Sequence, residues 1–433
     1  MRSFFIQTFG CQMNEYDSER IAGRLEGLGF IAGTDIFSSD LVVLNTCSVR
    51  AKPEQKTASL LGKLRRNRDK TGLPQAVGVM GCMAQDKGAE LIKRFKNVDF
   101  VLGTDRIERL NDLIKEIGGG KKFIDTAQGG EFFVEQFGRK KGVTAKITIM
   151  KGCNNFCSYC IVPYVRGRET CRNKADIISE AERLIESGVK DITLLGQNVN
   201  SYISEDGRSF PDLLAETAAI SKGVRIRFVT SHPKDFNERL AEVIKEHKNI
   251  CPLIHIPLQS GSDRILKVMN RGYTADSYLD KLRKAAEITP SLRFSTDIIV
   301  GFPGESEADF LKTAEVFREV EYETAYIFNY SPRSGTRAYK LPDEIPLKEK
   351  TRRLEYLLSI QEEITEKRYK AALGETVQVL AESVSKKDPF QLSGRTEYNR
   401  VVNFKAEKAS PGDMVKVRIT EVKKNTLSGR SDY

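Results

Sequence analysis

The sequence predicts an α/β chain in three parts: an N-terminal parallel α/β domain, a central partial (β/α)6 barrel and a small C-terminal β-barrel. Three observations predict it. Short apolar runs alternate with segments of helical periodicity as far as Tyr330, the pattern of parallel sheets. The glycine-rich stretch from Gly118 to Gly130 interrupts that alternation once. After a long charged helical pattern, Glu349 to Tyr369, only short apolar strands and turns follow. A chain of 433 residues suits two or three domains. The divisions fall at 1–118, a linker at 119–134, then 135–370 and 371–433.

Composition bounds the class. With 40% hydrophobic and 30% charged residues the chain reads as soluble and globular. The opening stretch, Met1 to Gln7, has one basic residue and an apolar run too short for a signal peptide. No stretch approaches the roughly 18 apolar residues of a membrane span. Eight cysteines are too few for a disulfide scaffold of this length, and their clustering points to metal in a reducing cytosol. A formal charge of +10 permits a nucleic-acid partner without requiring one.

In the N-terminal part, residues 3–9 read as a strand followed by Gly10-Cys11, and a helical segment from Asp17 to Leu28 stops at Gly29. Asp40 to Asn45 is a buried-strand pattern followed by Thr46-Cys47, with a helix over about Glu54 to Arg66. Ala76 to Met80 is a third strand, followed by Gly81-Cys82 and a helix from near Asp86. Cys11, Cys47 and Cys82 each follow the carboxyl end of a strand by one or two residues, where ligands of open α/β sheets collect. Together they form a candidate three-thiolate metal site; the plainer reading is three separate buried cysteines. Between them runs a basic stretch, Arg50, Lys52, Lys56, Lys63, Arg65, Arg66, Arg68 and Lys70, opposed only by Glu54 and Asp69. Such a run is usually a solvated helix face. Beside a metal site it is also a candidate phosphate-tracking surface.

From Thr144 the alternation resumes, with strands at 145–150, 191–195, 225–229, 253–257, 294–300 and 324–330. Six βα units are fewer than the eight of a closed barrel, so an open barrel is expected, its site at the carboxyl ends of the strands. The loop after the first of these strands carries Cys153, Cys157 and Cys160, spaced three and then two residues apart. Such crowding suits soft-metal ligation. Structural zinc takes four closed ligands, so three thiolates leave a position open for a cofactor or substrate. Polar residues recur after the later strands: Gln197, Asn198 and Asn200; Thr230, Ser231 and His232; Gln259 and Ser260; Asn329 and Ser331. Each is explicable by loop hydrogen bonding, but at one topological level they outline a shared pocket. His232, His247 and His255 form no metal spacing, and Cys171 and Cys251 fall in no motif; structural roles are expected for all five.

The last part offers strands at Thr376 to Glu382, Leu392 to Thr396, Arg400 to Phe404 and Met414 to Ile419. A barrel of this size is near the lower limit for independent folding. Small barrels of the kind often bind oligonucleotides.

The Cys153-x-x-x-Cys157-x-x-Cys160 spacing, with Gly152, Phe156 and Tyr159, resembles the signature of the radical S-adenosylmethionine (SAM) superfamily. The three parts together resemble its methylthiotransferases, which join a three-cysteine domain, a radical SAM core and a TRAM domain. Thr8 to Asn14, Asn45 to Arg50, Gly81 to Gln85, Tyr159 to Glu169 and Leu195 to Tyr202 look like the MiaB branch, which methylthiolates C2 of N6-isopentenyladenosine at position 37 of tRNA. Cys171 and Pro53 stand where that branch usually has serine and alanine.

The resemblance implies two [4Fe–4S] clusters. Cys153, Cys157 and Cys160 would hold the one that cleaves SAM, and Cys11, Cys47 and Cys82 an auxiliary one carrying the sulfur to be inserted. One SAM is the methyl donor, and a second yields the 5′-deoxyadenosyl radical that removes hydrogen from C2. Tyr159, Gln197, Ser231, Gln259 and Phe302 are expected at SAM, the last within Gly301-Phe302-Pro303-Gly304-Glu305, similar to the superfamily's segment near the adenine. Implied partners are the tRNA anticodon stem-loop with its modified adenosine 37, a reducing electron-transfer protein and a sulfur donor, in the cytoplasm and without a membrane. Two other readings stand beside this one. The target is instead a ribosomal-protein aspartate or threonylcarbamoyladenosine in tRNA, or the chain is a non-catalytic RNA-binding metalloprotein.

Overall fold

The structure, a computed structural model, describes residues 3–49, 51–116, 121–129 and 142–431. Met1 and Arg2, Arg50 of the basic run, both ends of the 119–134 linker, the first residues of the 135–370 segment and the last two residues lie outside the described residues. Two compact units make up the chain: Met1–Lys140 with Lys151–Thr170 and Ser331–Tyr339, and Lys141–Met150 with Cys171–Tyr330 and Lys340–Tyr433. The cysteine loop after residue 150 therefore packs with the N-terminal unit.

In that unit β1 (Ser3–Phe9), α1 (Gln12–Gly27), β2 (Ile31–Ala32), β3 (Leu41–Thr46), α2 (Ala51–Thr71), β4 (Ala76–Met80), α3 (Cys82–Arg94), β5 (Phe100–Leu102), α4 (Leu110–Glu116) and β6 (Phe123–Asp125) follow in order. The sheet is parallel, in the order β2-β1-β3-β4-β5-β6. Period-two alternation sends the side chains of β3 and β4 to both faces. Leu41, Val43, Ala76 and Met80 join Ile21 and Leu25 on one face, and Val42, Leu44, Val77 and Val79 join Leu61 and Leu64 on the other. Both strands are buried throughout, as central parallel strands covered on two faces should be.

Helix starts and the linker depart from expectation. α1 begins at Gln12 and α3 at Cys82, four or five residues before the expected starts: the first turn of α1 is mostly polar, and that of α3 opens on three consecutive apolar residues, so neither shows the helical period. α2 runs on to Thr71. Phe123–Asp125 pairs with β5, so this part of the expected linker is the sixth strand of the sheet.

The remaining elements are β7 (Thr144–Thr148), β8 (Met150–Lys151), α5 (Val162–Val165), β9 (Thr170–Cys171), α6 (Lys174–Glu186), β10 (Asp191–Leu195), α7 (Phe210–Ile220), β11 (Arg225–Phe228), α8 (Glu238–Glu246), β12 (Leu253–His255), α9 (Asp263–Val268), α10 (Ala275–Ile288), β13 (Arg293–Val300), α11 (Glu307–Val320), β14 (Thr324–Asn329), α12 (Leu347–Ala371) and β15 to β19 (Thr376–Val384, Leu392–Arg395, Val401–Lys405, Met414–Lys423, Thr426–Ser431). Strands β7, β10 and β11 pair in parallel, as do β12, β13 and β14, and a parallel bridge from Ile226 to Ile250 links the two sheets. Among the described residues no pairing joins β14 to β7, so the six strands form an open barrel. Their core lies under the surrounding helices, with Tyr202, Phe210, Tyr278, Phe310, Phe317 and Tyr322 fully buried.

The C-terminal strands close a five-stranded barrel, β15-β16-β17-β19-β18. Four of the five are legible in the sequence. β19 is not, since Leu427 is its one fully buried residue, yet its parallel pairing with β17 completes closure. The barrel is fastened to the amino ends of the core strands. Arg225 donates to the carbonyls of Arg395 (2.7 Å) and Gln378 (3.0 Å). Arg227 donates to the carbonyls of Glu397 and Thr396, both at 2.8 Å, and pairs with Asp191 at 2.8 Å. Arg400 pairs with Glu323, and Tyr398 donates to the Ser291 carbonyl at 2.9 Å. Arg227→Ala is expected to cost about 3–5 kcal/mol, because it leaves a buried Asp191 carboxylate without its cation. Denaturant unfolding, with the barrel transition moved to lower concentration, checks this.

Candidate functional site

The strand order of the N-terminal sheet reverses between β1 and β3, and that switch point is where an α/β sheet leaves a crevice for a ligand. Cys11 follows β1, Cys47 follows β3, and Cys82 follows the adjacent β4. The three sulfurs interact. Cys11 and Cys47 share a hydrogen bond that lowers the Cys11 thiol to about 6, assisted by Arg166 and the N–H groups of Asn14 and Met13. The same bond, with burial, holds the Cys47 thiol protonated. Burial pushes the Cys82 thiol up, and the Arg166 guanidinium acts against it. Cys11, at the start of α1, is exposed, while Cys47 and Cys82 are buried, so the site opens on the Cys11 side.

A buried amide network holds these loops together. Asn14 donates to Asn45 Oδ1 at 3.0 Å, and Asn45 donates to the Asn14 carbonyl (2.8 Å) and Ser18 Oγ (2.9 Å). Gly81, at φ 86°, lies so close that a Cβ there would sit 2.3 Å from Asn45 Oδ1. The Val49 N–H donates to Cys47 Sγ at 3.2 Å. Among the described residues no three His, Cys, Asp or Glu side chains close on a single metal ion. A four-iron cluster makes a looser demand, because each thiolate binds a different iron, and three converging thiols with one open side fit it.

The second set lies on the loop from Gly152 to Cys160. Gly152 adopts φ 74°, and Cys153 N–H donates to the Gly167 carbonyl at 3.2 Å. Phe156 takes a left-handed φ of 45°, reversing the chain between Cys153 and Cys157, and its ring lies edge-on to Tyr164 with Arg168 above it. Cys160 N–H donates to the Cys157 carbonyl at 3.0 Å. Burial pushes the Cys153 thiol up, opposed by the Asn155 N–H. Tyr159 is half-buried beside a Ser158 hydroxyl that is buried without a hydrogen-bond partner.

Arg166, which the sequence reading did not place in a site, reaches from this segment to the other thiols. Its Nε donates to Cys82 Sγ at 3.3 Å and its Nη2 to Asp17 Oδ2 at 2.7 Å. Burial works against its charge, but Cys82 and Asp17 outweigh burial and hold the proton more firmly than usual.

Near the carboxyl ends of the core strands in the second unit, five buried polar atoms among the described residues lack partners: Gln197 Oε1, Asn200 Nδ2, Gln259 Oε1, Asn329 Oδ1 and the Tyr330 hydroxyl. Buried orphans on this scale mark a place where a ligand supplies the partners. Gln259 sits at φ 71°, with its N–H on the Asp297 carbonyl (2.9 Å) and its carbonyl accepting from Ile299 (3.1 Å), so a strained turn aims its amide. Ser231 joins the group by donating to Asn200 Oδ1 at 3.2 Å. Three of the five, Asn200, Asn329 and Tyr330, are not among the residues expected at SAM.

Phe302, expected at SAM, is fully buried, with its ring edge-on to Tyr330 at a centroid distance of 5.2 Å. Asn198 braces the loops, donating to Asp235 (2.7 Å) and accepting from the His232 N–H (2.9 Å). His232 has the structural role expected of it: burial drives its pKa to about 2, and its neutral Nδ1 accepts from the Lys234 N–H.

Residues 147–317 match the Radical SAM superfamily, 3–103 an uncharacterized protein family designated UPF0004, and 370–431 the TRAM domain. In solved structures the fold is similar to the radical SAM methyltransferase TsrM from Kitasatospora setae with cobalamin and a [4Fe-4S] cluster bound (TM-score 0.58, 17% identity, 78% of this chain and 77% of that one). It is also similar to the cobalamin-dependent radical enzyme OxsB (TM-score 0.52, 12% identity, 85% and 56%). Three curated relatives carry the name tRNA-2-methylthio-N(6)-dimethylallyladenosine synthase. They come from Syntrophobacter fumaroxidans (45% identity, 99% of this chain, 95% of that one), Dictyoglomus thermophilum (44%, 99% and 98%) and Geobacter metallireducens (45%, 98% and 97%). The chain belongs to the tRNA-2-methylthio-N(6)-dimethylallyladenosine synthase family of the radical SAM superfamily.

Proposed function

We propose that the protein adds a methylthio group to C2 of N6-isopentenyladenosine at position 37 of tRNA, isopentenyl and dimethylallyl naming the same N6 substituent. The observation that carries this is full-length likeness, at 45% identity, to chains so named. Cys153, Cys157 and Cys160 would hold the [4Fe–4S] cluster that works with SAM, and Cys11, Cys47 and Cys82 the auxiliary [4Fe–4S] cluster. With SAM and both clusters bound, the chemistry supplied is radical removal of the C2 hydrogen and delivery of sulfur and a methyl group, which an unactivated aromatic C–H needs for want of an acid–base route.

The protein's own side chains bind and orient. Gln197, Asn200, Gln259, Asn329 and Tyr330 carry buried polar atoms without partners that SAM would satisfy, joined by Ser231. The exposed cations of α2, Lys52, Lys56, Lys63, Arg65, Arg66 and Lys70, offer a phosphate-binding face for the anticodon stem, and the TRAM barrel a second contact. The adenine must be splayed out of its loop, as RNA recognition usually requires. A reducing electron-transfer protein and a sulfur donor complete the partners, and the cytoplasm is the compartment this chemistry suits. No helix is long and apolar enough to cross a membrane among the described residues.

The test is nucleoside mass spectrometry of tRNA incubated anaerobically with reconstituted protein, SAM and reductant. A methylthio adduct on isopentenyladenosine is expected. An adduct on threonylcarbamoyladenosine or on a ribosomal-protein aspartate instead would move the target, and no adduct on any of them would favour a non-catalytic RNA-binding protein. Lys63→Glu, Arg65→Glu and Arg66→Glu together are expected to weaken tRNA binding while iron content stays constant. The log–log salt slope of affinity should flatten by about one for each phosphate that is no longer neutralised. Filter binding over a salt series checks it; an unchanged slope makes the face merely solvated.

A further inference from the structure

The segment Lys151–Thr170 carries one cysteine set and also delivers a cation to the other. Arg166 lies six residues beyond Cys160, is 7% exposed at its side chain, and is fixed at both ends, by Asp17 and by Cys82 Sγ. Cys82 packs against Ile161 and Val165 of the same segment, which keeps water from the contact. The backbone holds the arginine in place as well: its N–H donates to the Val162 carbonyl at 2.8 Å, and Thr104 Oγ1 donates to the Val165 carbonyl at 2.7 Å. In a water-poor site a unit charge a few ångströms from a thiolate acts much more strongly than in solvent.

We propose that Arg166 is a positioning residue that raises the reduction potential of the cluster held by Cys11, Cys47 and Cys82, with Asp17 aiming its guanidinium and partly offsetting its charge. The proposal rests on the auxiliary-cluster reading. Iron–sulfur potentials follow net charge, hydrogen bonds to sulfur and solvent exposure. A buried cation that donates to a ligating sulfur favours the more negative, reduced state, so it moves the potential up. A purely structural ion pair between α1 and the loop would hold the fold and leave the potential where it is.

Cys153, Cys157 and Cys160 replaced together by alanine give a full-length background in which the auxiliary cluster is read alone. Potentiometric titration followed by electron paramagnetic resonance, with iron counted on each sample, then compares Arg166→Gln and Asp17→Asn. Arg166→Gln is expected to retain iron and to disfavour reduction about tenfold or more, about 59 mV for one electron. Asp17→Asn removes the opposing charge and is expected to shift the potential the other way. Should Arg166→Gln lose its iron, Arg166→Lys, which keeps the charge but not the paired donors, carries the comparison with a smaller downward shift expected. Retained iron with unmoved potentials, or shifts of the same sign in the Arg166 and Asp17 variants, would overturn the proposal. A background that binds no iron would overturn the auxiliary-cluster reading and the proposal with it.

Discussion

Alanine at Cys153, Cys157 and Cys160 together is expected to lower iron from about eight to about four atoms per chain, two four-iron clusters becoming one. Methylthio product should vanish, and so should SAM cleavage, while tRNA affinity stays near wild type. The reasoning is local. The loop turns on its own backbone, through Gly152, the left-handed Phe156 and the Cys160 to Cys157 bond, so removing sulfur does not remove the hydrogen bonds that shape it. Nor does it touch the exposed cations of α2. The converse variant, alanine at Cys11, Cys47 and Cys82, is also expected to bind about four irons, but it should still cleave SAM and make no methylthio product. Four irons in wild type falling to none in the first variant would mean that the strand-end thiols hold no cluster, and would remove the basis for sulfur insertion.

Cys153, Cys157 and Cys160 stand out in the sequence by a tight spacing on one loop, and Cys11, Cys47 and Cys82 by a recurring pattern and not a local motif, a small residue and a cysteine after each apolar run. Arg166 has no such signal, since its partner Asp17 lies 149 residues away and nothing local distinguishes a buried arginine from a solvated one. The polar pocket is legible as a topological level, but which of its members are left without partners depends on packing. Asn198 finds Asp235 and the His232 N–H, while Asn200 Nδ2, two residues on, finds none. β19 escapes because closure of a barrel supplies hydrogen bonds from both neighbours, so a strand with a single fully buried apolar residue suffices there.

Gly152→Ala is expected to reduce SAM cleavage at least ~100-fold, the scale on which a displacement of about 1 Å is felt at reacting groups. Two effects add at this position. The backbone lies at φ 74°, a conformation that costs an L residue about 1–3 kcal/mol. A Cβ there would also sit 2.1 Å from the Arg168 carbonyl oxygen and 2.5 Å from its carbon. Backbone cannot rotate away as a side chain can, so the segment carrying Arg168 must move, and the Cys153 N–H bond to Gly167 goes with it. Cys153 is the next residue, so the movement falls directly on a proposed cluster ligand. Gly167→Ala separates the two effects, because its φ of 76° carries a similar conformational cost while nothing lies within 4 Å of the added carbon. It should lose stability and keep its iron and SAM cleavage. Measured side by side, 5′-deoxyadenosine formation and iron per chain distinguish the cases. Equal losses in both variants would place the requirement on backbone conformation, and near-normal activity in Gly152→Ala would mean the loop tolerates displacement that a three-thiolate cluster site should not.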